Sequence, residues 1–198
     1  MIGWYIVMAA GVLLAALIAV ILIRTLRFRP KPSEPLKAEE ITFDKERAVE
    51  ALRALVRCKT VSYRDPAAED DAEFQKLSAL LPTLYPRVFE ACRRIPLPDR
   101  EILLCWEGQE HTHPTVLMAH YDVVPVDESG WDKPPFEAVL EDGVVWGRGT
   151  LDTKVTVNGV LSAAEHLLEQ GFVPKNDIYM AFSGNEETFG EEIGRAHV

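Results

Sequence analysis

At 198 residues the chain has room for one domain and an anchor, since domains commonly run to about 100–200 residues. Its 21 Lys and Arg against 31 Asp and Glu give a formal charge of −10, which argues against a nucleic-acid partner, because phosphate binding needs a basic face. Cys58, Cys92 and Cys105 are odd in number and lack C-x-x-C spacing, so they fit neither a disulfide framework nor a structural zinc site and are expected as buried free thiols.

Residues 1–23 read as a transmembrane anchor. Ile2 to Ile23 holds no charged side chain, and at 1.5 Å per residue it spans about 33 Å, enough for a hydrocarbon core of about 30 Å. Trp4 and Tyr5 stand at one end, where amphipathic aromatics favour the interface, and Arg24, Arg27, Arg29 and Lys31 at the other. A cleaved signal peptide carries its positive charge ahead of a shorter apolar run, so a retained single-pass anchor is favoured. The basic cluster biases the C-terminal side toward the cytoplasm, a rule with exceptions that leaves the side of the domain open. Residues 24–40 form a basic, proline-rich linker, with P-K-P-S-E-P (Pro30 to Pro35) as a semi-extended spacer.

The domain proper is expected over 41–191. Thr42 to Glu46 has the composition of a helix start, and Ala48, Leu52, Leu55 and Val56 follow at helical spacing. A second helix is predicted over Ala72 to Leu81, with Phe74, Leu77 and Leu81 on one face. Strands are predicted at Arg87 to Ala91, Ile102 to Trp106 and Thr115 to Ala119. Asp142-Gly143 is a turn signal delivering a short strand, Val144 to Trp146. Val155 to Gln170 reads as a helix ended by Gly171, and Ile178 to Phe182 as a last strand. Strand, helix, strand implies a βαβ crossover. The expected fold is therefore α/β, with a largely parallel central sheet and helices on both faces.

Three clusters stand where buried strands run out: M-A-H-Y-D-V-V-P (Met118 to Pro125), G-R-G-T-L-D-T-K (Gly147 to Lys154) and S-G-N-E-E (Ser183 to Glu187). If the strand continues through Asp122, His120 and Asp122 point to the same face, and the carboxylate can accept the second ring N–H of a metal-bound imidazole. Alone, H-x-D is more often a plain hydrogen bond. Asp152 is readable as a helix N-cap. A phosphate loop is disfavoured, because Asp152 stands where G-x-G-x-x-G needs its third glycine, and its charge would repel phosphate. A carboxylate there can instead bridge two cations about 3.5–4 Å apart. Glu186 and Glu187, alone, would be two solvated acids. Beside His120 and Asp152 they admit a division of labour, one binding metal and the other taking a proton from metal-activated water.

The order H-Y-D-V-V-P, G-W-D-K-P-P-F (Gly130 to Phe136), W-G-R-G-T-L-D-T-K and N-E-E resembles the co-catalytic zinc metallopeptidase family of aminoacylase, acetylornithine deacetylase and carboxypeptidase S. The V-V-P and P-P-F elements resemble its carboxypeptidase S and N-acyl-amino-acid hydrolase branch. The likeness covers roughly Glu40 to Gly190. It implies two Zn2+ ions, with Co2+ or Mn2+ as substitutes. His120 would bind one, Glu187 the other, and Asp152 would bridge them. Asp122 would orient His120, and Glu186 would be the general base for water attacking the amide of a small peptide or N-acyl amino acid. Asn185 stands where the family usually has Asp. The family also implies a downstream acidic ligand, a distant histidine and a lid domain through which dimers form. None of these fits after Glu187, so residues 1–198 alone are expected to be inactive. Residues 192–198 (E-I-G-R-A-H-V) read as an artefactual tail, which removes His197 as a ligand. The rival expectation is a non-catalytic, membrane-tethered binding module that keeps the hydrolase fold.

Overall fold

The computed structural model describes residues 2–29, 41–98 and 100–188. Most of the proline-rich linker and the tail 192–198 therefore lie outside the described residues. The chain divides into two compact units, Met1–Ile41 and Thr42–Val198. In the first, helix α1 (Ile2–Arg27) exposes apolar side chains such as Val12, Leu13 and Leu22 on all sides, and it is long and apolar enough to cross a membrane. A signal sequence has the same properties.

The second unit opens with α2 (Lys45–Val56), started by the Asp44 side chain accepting from the Arg47 N–H at 2.9 Å. It buries Ala51, Leu52, Leu55 and Val56. Helix α3 (Asp71–Leu84) is capped by Asp70 and buries Phe74, Leu77 and Leu81, the face expected from their spacing. The next segment departs from expectation. Arg87 to Ala91 is not a strand but part of helix α4 (Pro86–Ala91). Pro86 presets the first helical φ, and the buried Glu165 carboxylate accepts from the Arg87 and Val88 N–H groups at 3.3 and 3.0 Å. A partner 77 residues away in sequence thus completes the helix start.

Strands β1 (Arg93–Ile95), β2 (Ile102–Trp106), β3 (Glu110–His120) and β6 (Asn176–Ser183) form a sheet in the order β1-β2-β6-β3. The expectation of a largely parallel sheet is corrected here. The sheet is mixed, with β1–β2 and β2–β6 antiparallel and only β3–β6 parallel. That parallel pair is joined through α5 (Val155–Glu169), the expected βαβ crossover. Between them lies a hairpin, β4 (Val139–Glu141) and β5 (Val144–Trp146), whose turn residues Asp142 and Gly143 both have positive φ, matching the twist of paired strands. Helix α5 ends in a Schellman motif, with the Gly171 N–H on the Leu168 carbonyl and the Phe172 N–H on that of Leu167.

The core gathers Leu55, Leu77, Leu81, Val88 and Leu161 from the four helices against Leu104, Met180 and Phe182 of the sheet. Among the described residues these four helices share one core. Edge strand β3 leaves Val116, Leu117 and Met118 exposed.

Candidate metal centre

The register of the parallel pair builds the site. His120 ends β3 opposite Ser183 at the end of β6, so the residues after each strand emerge side by side. The loop carrying Asp152 reaches the same point from the start of α5.

All five sequence-predicted site residues meet there. His120 Nδ1 faces Asp122, 3.1 Å from its backbone carbonyl and 3.4 Å from its carboxylate. Nε2 faces outward, 3.1 Å from Asp152 Oδ1 and 3.6 Å from Glu186 Oε2. One ligand atom each from His120, Glu186 and Glu187 lies within 4.8 Å of the others. Both glutamates are thus near enough to share a cation. A ring nitrogen facing carboxylate oxygens needs a proton or a metal ion between them. Burial alone would lower the His120 pKa, but the Asp122 carboxylate and then Glu186 outweigh it and raise it to about 9. Glu187 is also raised, first by burial and then by crowding with Asp122, Asp152 and Glu186, against the pull of His120.

Asp122 does more than the sequence indicated. Fully buried, it accepts from the Glu186 N–H at 3.2 Å and the Glu187 N–H at 3.1 Å. One carboxylate therefore orients the histidine and pins both glutamates. Asp152 is not the N-cap of α5; Lys154 holds that position without a side-chain cap bond. Asp152 instead has extended backbone angles and a largely exposed carboxylate turned to His120. The Asp152–Thr153 peptide is cis.

Three residues escaped the sequence reading. Lys154 is completely buried, with Nζ donating to the Leu55 and Cys58 carbonyls at 3.1 and 2.6 Å. Thr60 donates its hydroxyl to the Tyr121 carbonyl at 2.6 Å, and the buried Tyr121 hydroxyl reaches the Arg100 carbonyl. In the run Thr60-Val61-Ser62, Val61 bridges in parallel to Val123. The G-W-D-K-P-P-F motif packs beneath the loop, with Arg148 over Trp131, Lys59 over Phe136, and the Arg148 N–H on the Pro135 carbonyl.

An imidazole and several carboxylates suit zinc, and also cobalt or manganese. The fold has counterparts among solved structures. It resembles human carnosine dipeptidase 1 (TM-score 0.62, 19% identity, 76% of this chain and 34% of that one). It also resembles the M20 family metallo-carboxypeptidase Sso-CP2 of Sulfolobus solfataricus (TM-score 0.55, 21% identity, 72% and 31%). Residues 116–197 match the model of peptidase family M20/M25/M40. Among similar proteins is the N-fatty-acyl-amino acid synthase/hydrolase PM20D1.1 of Danio rerio, 36% identical over 75% of this chain and 29% of that protein. The probable carboxypeptidase S-like 2 of Dictyostelium discoideum is 32% identical over 90% and 36%, and carboxypeptidase S of Saccharomyces cerevisiae 34% identical over 72% and 27%. The chain thus spans about a third of the length of the curated relatives it matches.

Proposed function

We propose that the whole protein is a metal-dependent amidohydrolase acting on small peptides or N-acyl amino acids, and that α1 anchors it to a membrane. The observation that carries this reading is the convergence of His120, Glu186 and Glu187 ligand atoms within 4.8 Å, with Asp152 on the outward nitrogen of His120. His120, Asp152 and Glu187 would hold two divalent ions, zinc first, with Asp152 between them. Such ions lower the pKa of water and polarise an amide carbonyl. Glu186 accepts the proton of the attacking water and returns it to the departing amine, and Asp122 keeps His120 and both glutamates in register. The substrate class follows the names of the relatives, which cover both N-acyl amino acids and carboxypeptidase S.

The test is metal content of the purified whole protein, followed by hydrolysis of an N-acyl amino acid and peptide panel before and after chelation. Glu186→Gln is expected to keep its metal while kcat falls by about 10²- to 10⁴-fold. Metal without turnover in the unmodified protein would favour a binding module instead.

A further inference from the structure

We propose that Lys154 is a positioning residue for the metal centre, tying the loop that carries Asp152 to the strap that carries Asp122; this rests on the metal-centre reading above. The strap is traceable bond by bond. Lys154 Nζ donates to the Cys58 carbonyl at 2.6 Å, and the same carbonyl accepts from the Thr60 N–H at 2.9 Å. Thr60 then grips both neighbours of Asp122. Its hydroxyl donates to the Tyr121 carbonyl at 2.6 Å, and its carbonyl accepts from the Val123 N–H at 2.9 Å. The Ser62 N–H on the Val123 carbonyl closes the strap at 3.0 Å.

At the other end, the Lys154 N–H donates to the Gly149 carbonyl at 2.9 Å and closes the turn containing Asp152. A side chain at Gly149 would meet Val123 Cγ1 at 2.6 Å and the Lys154 methylenes at 3.4 and 3.6 Å. The loop therefore lies directly on the strap, with the lysine stem as packing. A fully buried ammonium is costly, and its hydrogen bonds to two carbonyls offset only part of that cost. Methionine would fill the space without that cost, so stability alone does not call for lysine. Lysine has instead the reach and the donors to fix Asp152 relative to His120, whose Nε2 lies 3.1 Å from its carboxylate.

The experiment uses the full chain and Zn2+ competition with a chelating dye, together with the absorption spectrum of the Co2+-loaded form. Lys154→Met is compared with Leu161→Ala, a core truncation that removes none of these hydrogen bonds. Zinc affinity is expected to fall by about 10- to 100-fold in Lys154→Met, with an altered cobalt spectrum, while Leu161→Ala keeps wild-type affinity and spectrum. If Lys154→Met does not fold, Thr60→Val interrupts the same strap and is expected to weaken zinc binding several-fold. Wild-type affinity and spectrum in the strap variant that folds, or equal losses in Leu161→Ala, overturn the proposal. Absence of zinc binding by the wild type overturns the metal-centre reading and this proposal with it, an outcome visible before any variant is made.

Discussion

Asp122 serves three groups with two oxygens, receiving the imidazole of His120 and the N–H groups of Glu186 and Glu187. Removing it unfixes His120 and the segment of both glutamates at once. Asp122→Ala is therefore expected to weaken zinc binding by about 10- to 100-fold, read by dye competition. A second buried carboxylate supplies a pH test far from the site. Asp177 accepts from the Gly108 N–H at 2.8 Å, which first among its contacts holds its pKa below the ordinary value, with His111 assisting. A pKa lowered on folding contributes stability that is full above the ordinary carboxylate value and is lost as pH falls through the folded one. Asp177→Asn is accordingly expected to be less stable than wild type at pH 7, with the gap closing in strong acid, measured by urea denaturation. The five candidate residues stood out because a histidine and carboxylates follow apolar strands, and their roles came from the resemblance of their order to a known family. Lys154 did not. Its partners are backbone carbonyls 99 and 96 positions away, which leave no trace in residue identity.

Local periodicity found the helices that bury a stripe and the strands with β-branched runs. It failed at α4, where Arg87 to Ala91 is too short to distinguish helix from strand and Pro86 with Glu165 decides the outcome. The parallel expectation for the sheet came from the β3-α5-β6 unit and holds there. The antiparallel β2 lies beside β6 through contacts no local pattern announces. The Asp152 loop gives the test at this scale. Gly149 has φ +81° and no room for a Cβ, so Gly149→Ala is expected to cost about 1–3 kcal/mol in urea melts and to reduce zinc occupancy.

As a whole molecule the chain joins an apolar helix to an α/β domain. If α1 is retained as an anchor, the expressed protein is expected to pellet with membranes and resist alkaline carbonate extraction, whereas release into the soluble fraction with loss of the α1 mass would indicate cleavage. The β3–β6 register has a temporal consequence. Asp122 and the Glu186 N–H it holds are 64 positions apart and meet only after the α5 crossover has closed. On a ribosome, no earlier stretch of the chain can offer the full set of donors, so on the proposed reading metal capture would follow folding instead of seeding it. Zinc at about 100 times its dissociation constant would add about 2.7 kcal/mol to the native state, and most of it should appear as slower unfolding. Stopped-flow refolding is expected to be zinc-independent within about twofold, while unfolding slows markedly. On the proposed reading, a bound ion would be a latch that closes on a finished frame.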